Sequence, residues 1–368
     1  MSADMADFIV SLLLTLTISA GWSMGWVFLW RERGNRKANT QYALLLLLFS
    51  LCLLDNLLAH AGLLIHYHEK YFIPIWYTLA IGPAFFFAIK FTLYPAYELR
   101  PTDAKHFILP MAQAIFYWTL YFSGPNTQEL VWDNFLEPFF KTFEGILYVT
   151  LLFTYLALSY RYVKYKQAVV RKKGYFLEHA KTIWLQWTIK VLFALSLVNT
   201  SYIIMDFAVY NFLGWNLYSV KGFSYLGDLS FAAMLAWLVW RSYLYAFRVA
   251  YPTAGQLAAF YQTAEWTRNA PEERLFAWFD KDRVHQDPEL NLRRLAFLSG
   301  LSPSKARNAI LQRSSLSFSK FVLKKRLETC QSQIQDPKYQ HQGAKAIALQ
   351  AGFSSFRRLQ KALKTPFV

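Results

Sequence analysis

Residues 343–364 read GAKAIALQAGFSSFRRLQKALK, and the way this stretch divides decides the fold. Ala346, Ile347 and Leu349 supply a short apolar stripe on a first helix, and Gly352 permits a tight turn after it. On a second helix Phe353, Leu359 and Leu363 are expected to point inward. That leaves Arg357, Arg358, Gln360, Lys361 and Lys364 on the outer face. A short basic helix presented by a turn is the shape that enters a DNA major groove.

A similar unit precedes it. Leu292, Leu295, Ala296 and Leu298 recur at helical spacing, and Gly300-Leu301-Ser302-Pro303 gives a turn, an N-cap and a proline at the first helical position. The helix that follows is expected to run to about Gln312, with Ser304, Lys305, Arg307 and Asn308 outward. Phe318 to Ile334 reads as a linking helix with Phe318, Phe321, Val322, Leu327, Cys330 and Ile334 facing in. Its expected task is to hold two outward helices about one DNA turn, ~34 Å, apart. Arg326 is expected to tie that helix into the domain.

These residues carry a resemblance. Leu292, Leu295-Ala296, Gly300-Leu301-Ser302-Pro303, Ile310, Phe318 and Arg326-Leu327, followed by Ile347-Ala348, Gly352-Phe353, Ser355, Leu359 and Leu363-Lys364, resemble the DNA-binding domain of the AraC/XylS family of bacterial transcription regulators. The family usually has Gly where Ser315 stands and aromatic residues where Ile310, Leu359 and Leu363 stand. It also continues into a closing helix, for which no residues are expected after Thr365-Pro366. The resemblance implies two helix-turn-helix units and sequence-specific transcription regulation. It also implies base contacts by Ser304, Arg307, Asn308, Phe356, Arg357, Gln360 and Lys361. Lys305, Arg313, Lys320, Lys324, Lys345, Arg358 and Lys364 are the candidates for phosphate contacts, the alternative for each being a solvated surface charge.

Composition adds a second part. Of 368 residues 55% are hydrophobic, yet the formal net charge is +16. The charge is concentrated late: fifteen Lys and Arg from Leu290 onward face only Glu328 and Asp336. Apolar runs fall at about 8–30, 41–65, 72–94, 106–122, 139–160, 183–205 and 222–245, each near the ~20 residues that cross a bilayer. Asp4 and Asp7 precede the first run, and Arg31, Arg33, Arg36 and Lys37 follow it, so it reads as an uncleaved span with its N-terminus outside. Loops after the first, third and fifth runs are basic, through Arg100, Lys105, Arg161, Lys164, Lys166, Arg171, Lys172, Lys173 and Lys181. Those after the second, fourth and sixth carry little beyond Lys70 and Lys221. By the positive-inside rule the C-terminus lies in the cytoplasm. The outer segments 126–138 and 206–219 read as short aromatic loops.

The expected fold is therefore all-α. Residues 1–245 form a seven-transmembrane-helix bundle acting as a sensor, and 246–270 a juxtamembrane linker with an interfacial helix at 253–266. Residues 271–368 form a cytoplasmic AraC-type DNA-binding domain with two helix-turn-helix units. The expected location is the bacterial inner membrane, multi-pass. The expected partners are double-stranded DNA, the lipid bilayer, an unidentified small-molecule or membrane signal, and a second copy in a homodimer.

Ionisable and polar residues inside spans are costly and are candidates for function. Asp55, Asn56, His60, Glu144, Asn199 and Asp228 are expected at mid to outer depth, where they would line a ligand pocket. The alternative is interhelical hydrogen bonding. Lys90 and Lys190 are expected to snorkel to headgroups. His60, His66 and His68 beside Asp55 raise metal-assisted hydrolysis, but no His–acid spacing recurs, and His66 and His68 face different ways on a helix. With no nucleophile elbow and no phosphate-cradling glycine loop, neither catalysis nor a cofactor nor a metal is expected. Cys52 and Cys330 lie in different parts, so no disulfide is expected. The alternative function is a membrane enzyme or transporter whose C-terminal region is regulatory or protein-binding.

Overall fold

The computed structural model describes residues 3–31, 34–60, 73–172, 176–215, 217–247, 271–280, 282–339 and 342–364. Every regular element among them is helical. Ala3–Trp30 is α1, Arg36–His60 α2 and Thr78–Leu93 α3. A 3-10 turn at Pro101–Phe107 leads into α4, Ile108–Tyr121. Pro125–Val131 is α5, which passes through a π-helical stretch at Trp132–Phe140 into α6, Lys141–Lys172. Phe176–Leu213 is α7 and Lys221–Phe247 is α8.

The helices α1, α2, α3, α6, α7 and α8 each pack on the next, and α8 closes on α1 and α2. Their shared core includes Leu14, Phe28, Phe49, Cys52, Phe85, Leu156, Ile189 and Leu235. The outer faces are also apolar: Phe8, Leu16 and Trp26 on α1, Met111 and Ile115 on α4, and Trp187, Leu197 and Ile204 on α7 are exposed. A helix apolar on its buried and its exposed sides alike suits lipid on the exposed side. Among the described residues five helices are long and apolar enough to cross a membrane: Met5–Trp30, Arg36–Leu58, Thr142–Val170, Lys181–Leu213 and Lys221–Phe247. That is the make-up of a multi-pass membrane protein.

The other two apolar runs fold into shorter helices. The run at 72–94 yields only the 16 residues of α3, since 73–77 are not helical and Pro95 follows its end. The run at 106–122 gives the 14 residues of α4, its start being used by the 3-10 turn. At 1.5 Å per residue these reach about 24 and 21 Å, less than the ~30 Å of a hydrocarbon core. The segments expected as outer loops are instead largely helical: α5 and the π-helical stretch cover 126–138, and α7 runs on to Leu213. Lys90 does not snorkel. It is buried in α3, 3.4 Å from Asp103 and with its ammonium 3.8 Å from the Tyr97 ring centroid. Lys190 is exposed, above the Trp187 ring.

Beyond the bundle, Pro271–Asp280 is α9, Leu292–Ser299 α10, Pro303–Ser314 α11, Phe318–Gln335 α12, Ala344–Gln350 α13 and Phe356–Lys364 α14. Residues 253–266, His66, His68, Lys70 and the His60 side chain lie outside the described residues. Two cores form here. The first joins Leu275, Trp278, Phe279, Leu295, Ile310 and Phe321, and the second joins Cys330, Ile347, Phe353, Leu359 and Ala362. Two expected core residues are outside: Ile334 is 63% and Leu363 68% exposed. On α14 the inward positions are Leu359 and Ala362, three apart, and Leu363 is turned a further ~100° away.

Both helix pairs turn by the same device. The Leu301 N–H donates to Ala296 O at 2.9 Å and the Phe353 N–H to Ala348 O at 3.0 Å. The glycine before each has positive φ, +71° at Gly300 and +97° at Gly352. This is the glycine-closed helix end. A Cβ on Gly300 would meet nothing within 4 Å, whereas one on Gly352 would lie 2.5 Å from His285 O and 2.8 Å from the Gln286 backbone. Ser315, at φ +55°, closes α11 in the same left-handed region without being glycine.

Gly300→Ala is expected to destabilise the C-terminal region by roughly 1 kcal/mol, the cost of the left-handed backbone alone. Gly352→Ala is expected to cost roughly 3 kcal/mol or more, because backbone must also move. Ser315→Gly is expected to stabilise by about 0.5–1 kcal/mol. Pulse proteolysis of the full-length protein in urea reads all three, and equal losses for the two alanine variants would refute the packing account.

Candidate functional site

The outward faces of α11 and α14 form two matched stripes. On α11, Ser302 caps the N-terminus by accepting from the Lys305 N–H at 3.3 Å, and Pro303 opens the helix. Ala306, Ala309 and Ile310 are buried, which turns Ser304, Arg307 and Asn308 outward at helical spacing. On α14, burial of Leu359 and Ala362 turns out Arg357, Gln360, Lys361 and Lys364 at the same spacing. Phe356 differs from the other base-contact candidates: it is half-buried and packs on the second core.

Each pair leans on α12. Phe321 and Val322 enter the first core, while Leu323, Leu327 and Cys330 meet the second. The 18 residues of α12 extend about 27 Å. All seven phosphate-contact candidates are exposed. Two of them have partners that sequence gives no hint of. The Arg313 guanidinium lies 4.3 Å from the Phe276 ring centroid, and Lys345 Nζ is 2.9 Å from Glu98 Oε1 in the segment after α3.

The loop between α9 and α10 ties these parts together. Arg326 of α12 donates from Nε to His285 O at 2.7 Å and from Nη2 to Asp287 O at 2.8 Å. It therefore serves the structural part expected of it. Asp287 is 2.7 Å from the nearly inaccessible Arg294. His285 is buried, and its ring meets Thr329 Oγ1 at 2.8 Å through Nε2. The Thr329 hydroxyl donates to Lys325 O, so Nε2 carries the proton. Burial, followed by the charges of Arg326, Lys325 and Arg283, pushes the His285 pKa down to about 4.

Within the bundle five of the six polar candidates have described side chains, that of His60 lying outside the described residues, and Asn56, Glu144, Asn199 and Asp228 make hydrogen bonds between helices. Asn56 donates to Asp228 Oδ1 at 2.7 Å, joining α2 to α8. Asn199 donates to Ser230 Oγ at 2.9 Å, joining α7 to α8. Glu144 of α6 accepts from Gln113 and, at 2.9 Å, from the Tyr117 hydroxyl, both on α4. Asp55 is half-buried, and its charge and that of Glu144 both reach the Cys52 and Tyr117 side chains. These are contacts of the interhelical kind. Gln113 and Tyr117 were not evident in sequence, since a single polar residue in an apolar run does not announce its partner. Among the described residues no group of three or more His, Cys, Asp and Glu side chains is placed to hold a metal ion.

No family model, curated protein or solved structure matches this chain.

His285 gives a pH test. Its folded pKa lies below the ordinary histidine value of about 6.5, so the unfolded chain binds more protons between about 6.5 and 4. The stability of the C-terminal region is expected to be full above pH 6.5 and to fall by on the order of 2–3 kcal/mol towards pH 4. His285→Gln should remove that part of the slope. Parallel pH profiles for wild type and variant, by proteolysis in urea, would refute the assignment.

Proposed function

We propose that the chain is a membrane-embedded one-component transcription regulator. A seven-span bundle, N-terminus outside, receives a signal in or across the bacterial inner membrane, and the cytoplasmic C-terminal region binds promoter DNA as an AraC-type domain. One observation carries this reading: two helices of like build, α11 and α14, present polar and basic residues at i, i+3 and i+4, and the cores beneath both rest on one helix, α12. Such a pair suits successive major grooves of one DNA face. Arg307 and Arg357 suit guanine, and Asn308 and Gln360 suit adenine. The surrounding lysines and arginines suit phosphates. In the seven-span reading α3 and α4 serve as short spans, α3 sheathed by its neighbours. The signal acts by preferring one of two arrangements of bundle and DNA-binding region, in a monomer or homodimer.

The test uses the full-length protein in nanodiscs, with DNA selected from random sequence and titrated at several salt concentrations. Arg357→Ala is expected to cost about 1–3 kcal/mol and to relax preference at one base position. Lys364→Ala is expected to weaken all sequences alike and lower the salt slope by about one. Binding with no preferred sequence, rising with the anionic lipid content of the disc, would instead make the basic face a membrane-surface element.

A further inference from the structure

The end of the bundle where α1 and α8 finish grips the C-terminal region. Arg31, one residue past α1, places Nη2 2.5 Å from Glu289 Oε2 in the loop between α9 and α10. Both side chains are about one-tenth exposed, 9% and 11%. Arg31 is further held by the carbonyls of Tyr245 and Ala246, at 3.5 and 3.3 Å, and lies over the Phe28 and Tyr245 rings. Opposite it, Glu289 Oε1 fills the space that a side chain on Gly34 would need. A second link is of another kind: Lys345 and Glu98 meet at 2.9 Å with both side chains more than half exposed.

We propose that this docking is autoinhibitory: the buried Arg31–Glu289 pair holds the C-terminal region against the bundle, where Glu98 occupies Lys345, and parting that pair frees the region for DNA. The inference rests on the DNA-binding reading above. Lys345 lies in the first turn of α13, the first helix of the second pair, and is a candidate phosphate contact. While docked it faces a carboxylate, which both takes its charge and repels the phosphate that would replace it.

The latch is built to hold without being permanent. Its geometry is one-pronged, so Arg31 Nη1 and Glu289 Oε1 are buried with no hydrogen-bond partner. A two-pronged arginine–carboxylate pair would satisfy both. Each orphan group regains water on release, which offsets part of the ion-pair attraction. The Glu289 carboxyl titrates above the usual carboxylate range because burial outweighs the Arg31 charge. Movement at Glu289 also has a route to the DNA-facing helices. Its N–H donates to Asp287 Oδ1 at 3.0 Å, Arg326 grips the carbonyls on either side of Gln286, and Gly352 packs on those same residues. A shift of this loop therefore bears directly on the turn before α14.

The experiment uses the full-length protein in zwitterionic nanodiscs. Spin labels at Leu99→Cys and Ser332→Cys measure the separation of bundle and α12, the native Cys52 and Cys330 being buried. The same samples are titrated with the selected DNA. Glu289→Gln leaves Arg31 its two carbonyls, so the bundle keeps its end intact. It is expected to broaden the label distance and raise DNA affinity about tenfold. Glu98→Gln, touching only the exposed pair, is expected to leave the distance unchanged, raise affinity about twofold and steepen the salt slope by about one. A narrow distance and unchanged affinity in Glu289→Gln would overturn the proposal, as would a broadened distance with unchanged or weaker binding. Should Glu289→Gln fail to fold, an unchanged affinity in Glu98→Gln overturns it. Absence of sequence-specific binding in wild type and variants alike is failure of the functional reading. It is recognised separately because the label distance still responds to Glu289→Gln, and it ends the autoinhibition proposal with it.

Discussion

Two hydrogen bonds from Arg326 are the constraint on which the C-terminal region depends. A loop with buried carbonyls needs donors from outside itself, and those of His285 and Asp287 receive both from one guanidinium on α12. The planar fork fixes the loop's distance and angle to the helix in a way a lysine would not. Everything else is referred to that junction. Phe279 lies beside His285 below it, Arg294 reaches Asp287 from α10, and the turn at Gly352 comes so close to the His285 carbonyl that only a hydrogen fits. The two helix pairs, which have separate cores, are thereby set at a defined place along one helix.

The bundle obeys a different rule. In lipid, backbone groups are satisfied within each helix, so helices associate through packing and a few polar links. The polar residues divide accordingly into Asn56–Asp228, Asn199–Ser230 and Glu144 with Gln113 and Tyr117. The third link attaches α4, which otherwise exposes most of its apolar surface to the outside. At the bundle's end the Arg31–Glu289 pair carries a specificity that apolar packing lacks: removing one partner strands a buried charge, a penalty of roughly 3–5 kcal/mol. Docking of this region is therefore tied to one geometry.

The local features were legible in sequence because their causes are local. Gly300 and Gly352 announced the turns, Ser302-Pro303 announced the start of α11, and the outward stripe of α14 followed from helical spacing. Apolar residues at the margin of a stripe misled: Leu363 and Ile334 have the right chemistry but sit a step round the helix from the buried face. Apolar runs likewise reported hydrophobicity without length, and α3 and α4 are shortened by Pro95 and by the turn at Pro101–Phe107. Depth along its apolar run points Lys90 to the headgroups, whereas Asp103 and the Tyr97 ring decide where it lies. Least legible were Glu98 and Glu289. Their partners are remote in the chain, and no spacing rule connects residues that meet only after the two parts dock.

The central claim is that one chain presents two recognition helices, held by α12, to one face of DNA. Hydroxyl-radical and methylation footprinting of the full-length protein on its selected site tests it most directly. The account predicts two protected major-groove patches on the same face, about 10–10.5 base pairs apart. A single patch, or uniform protection without preferred position, would contradict it.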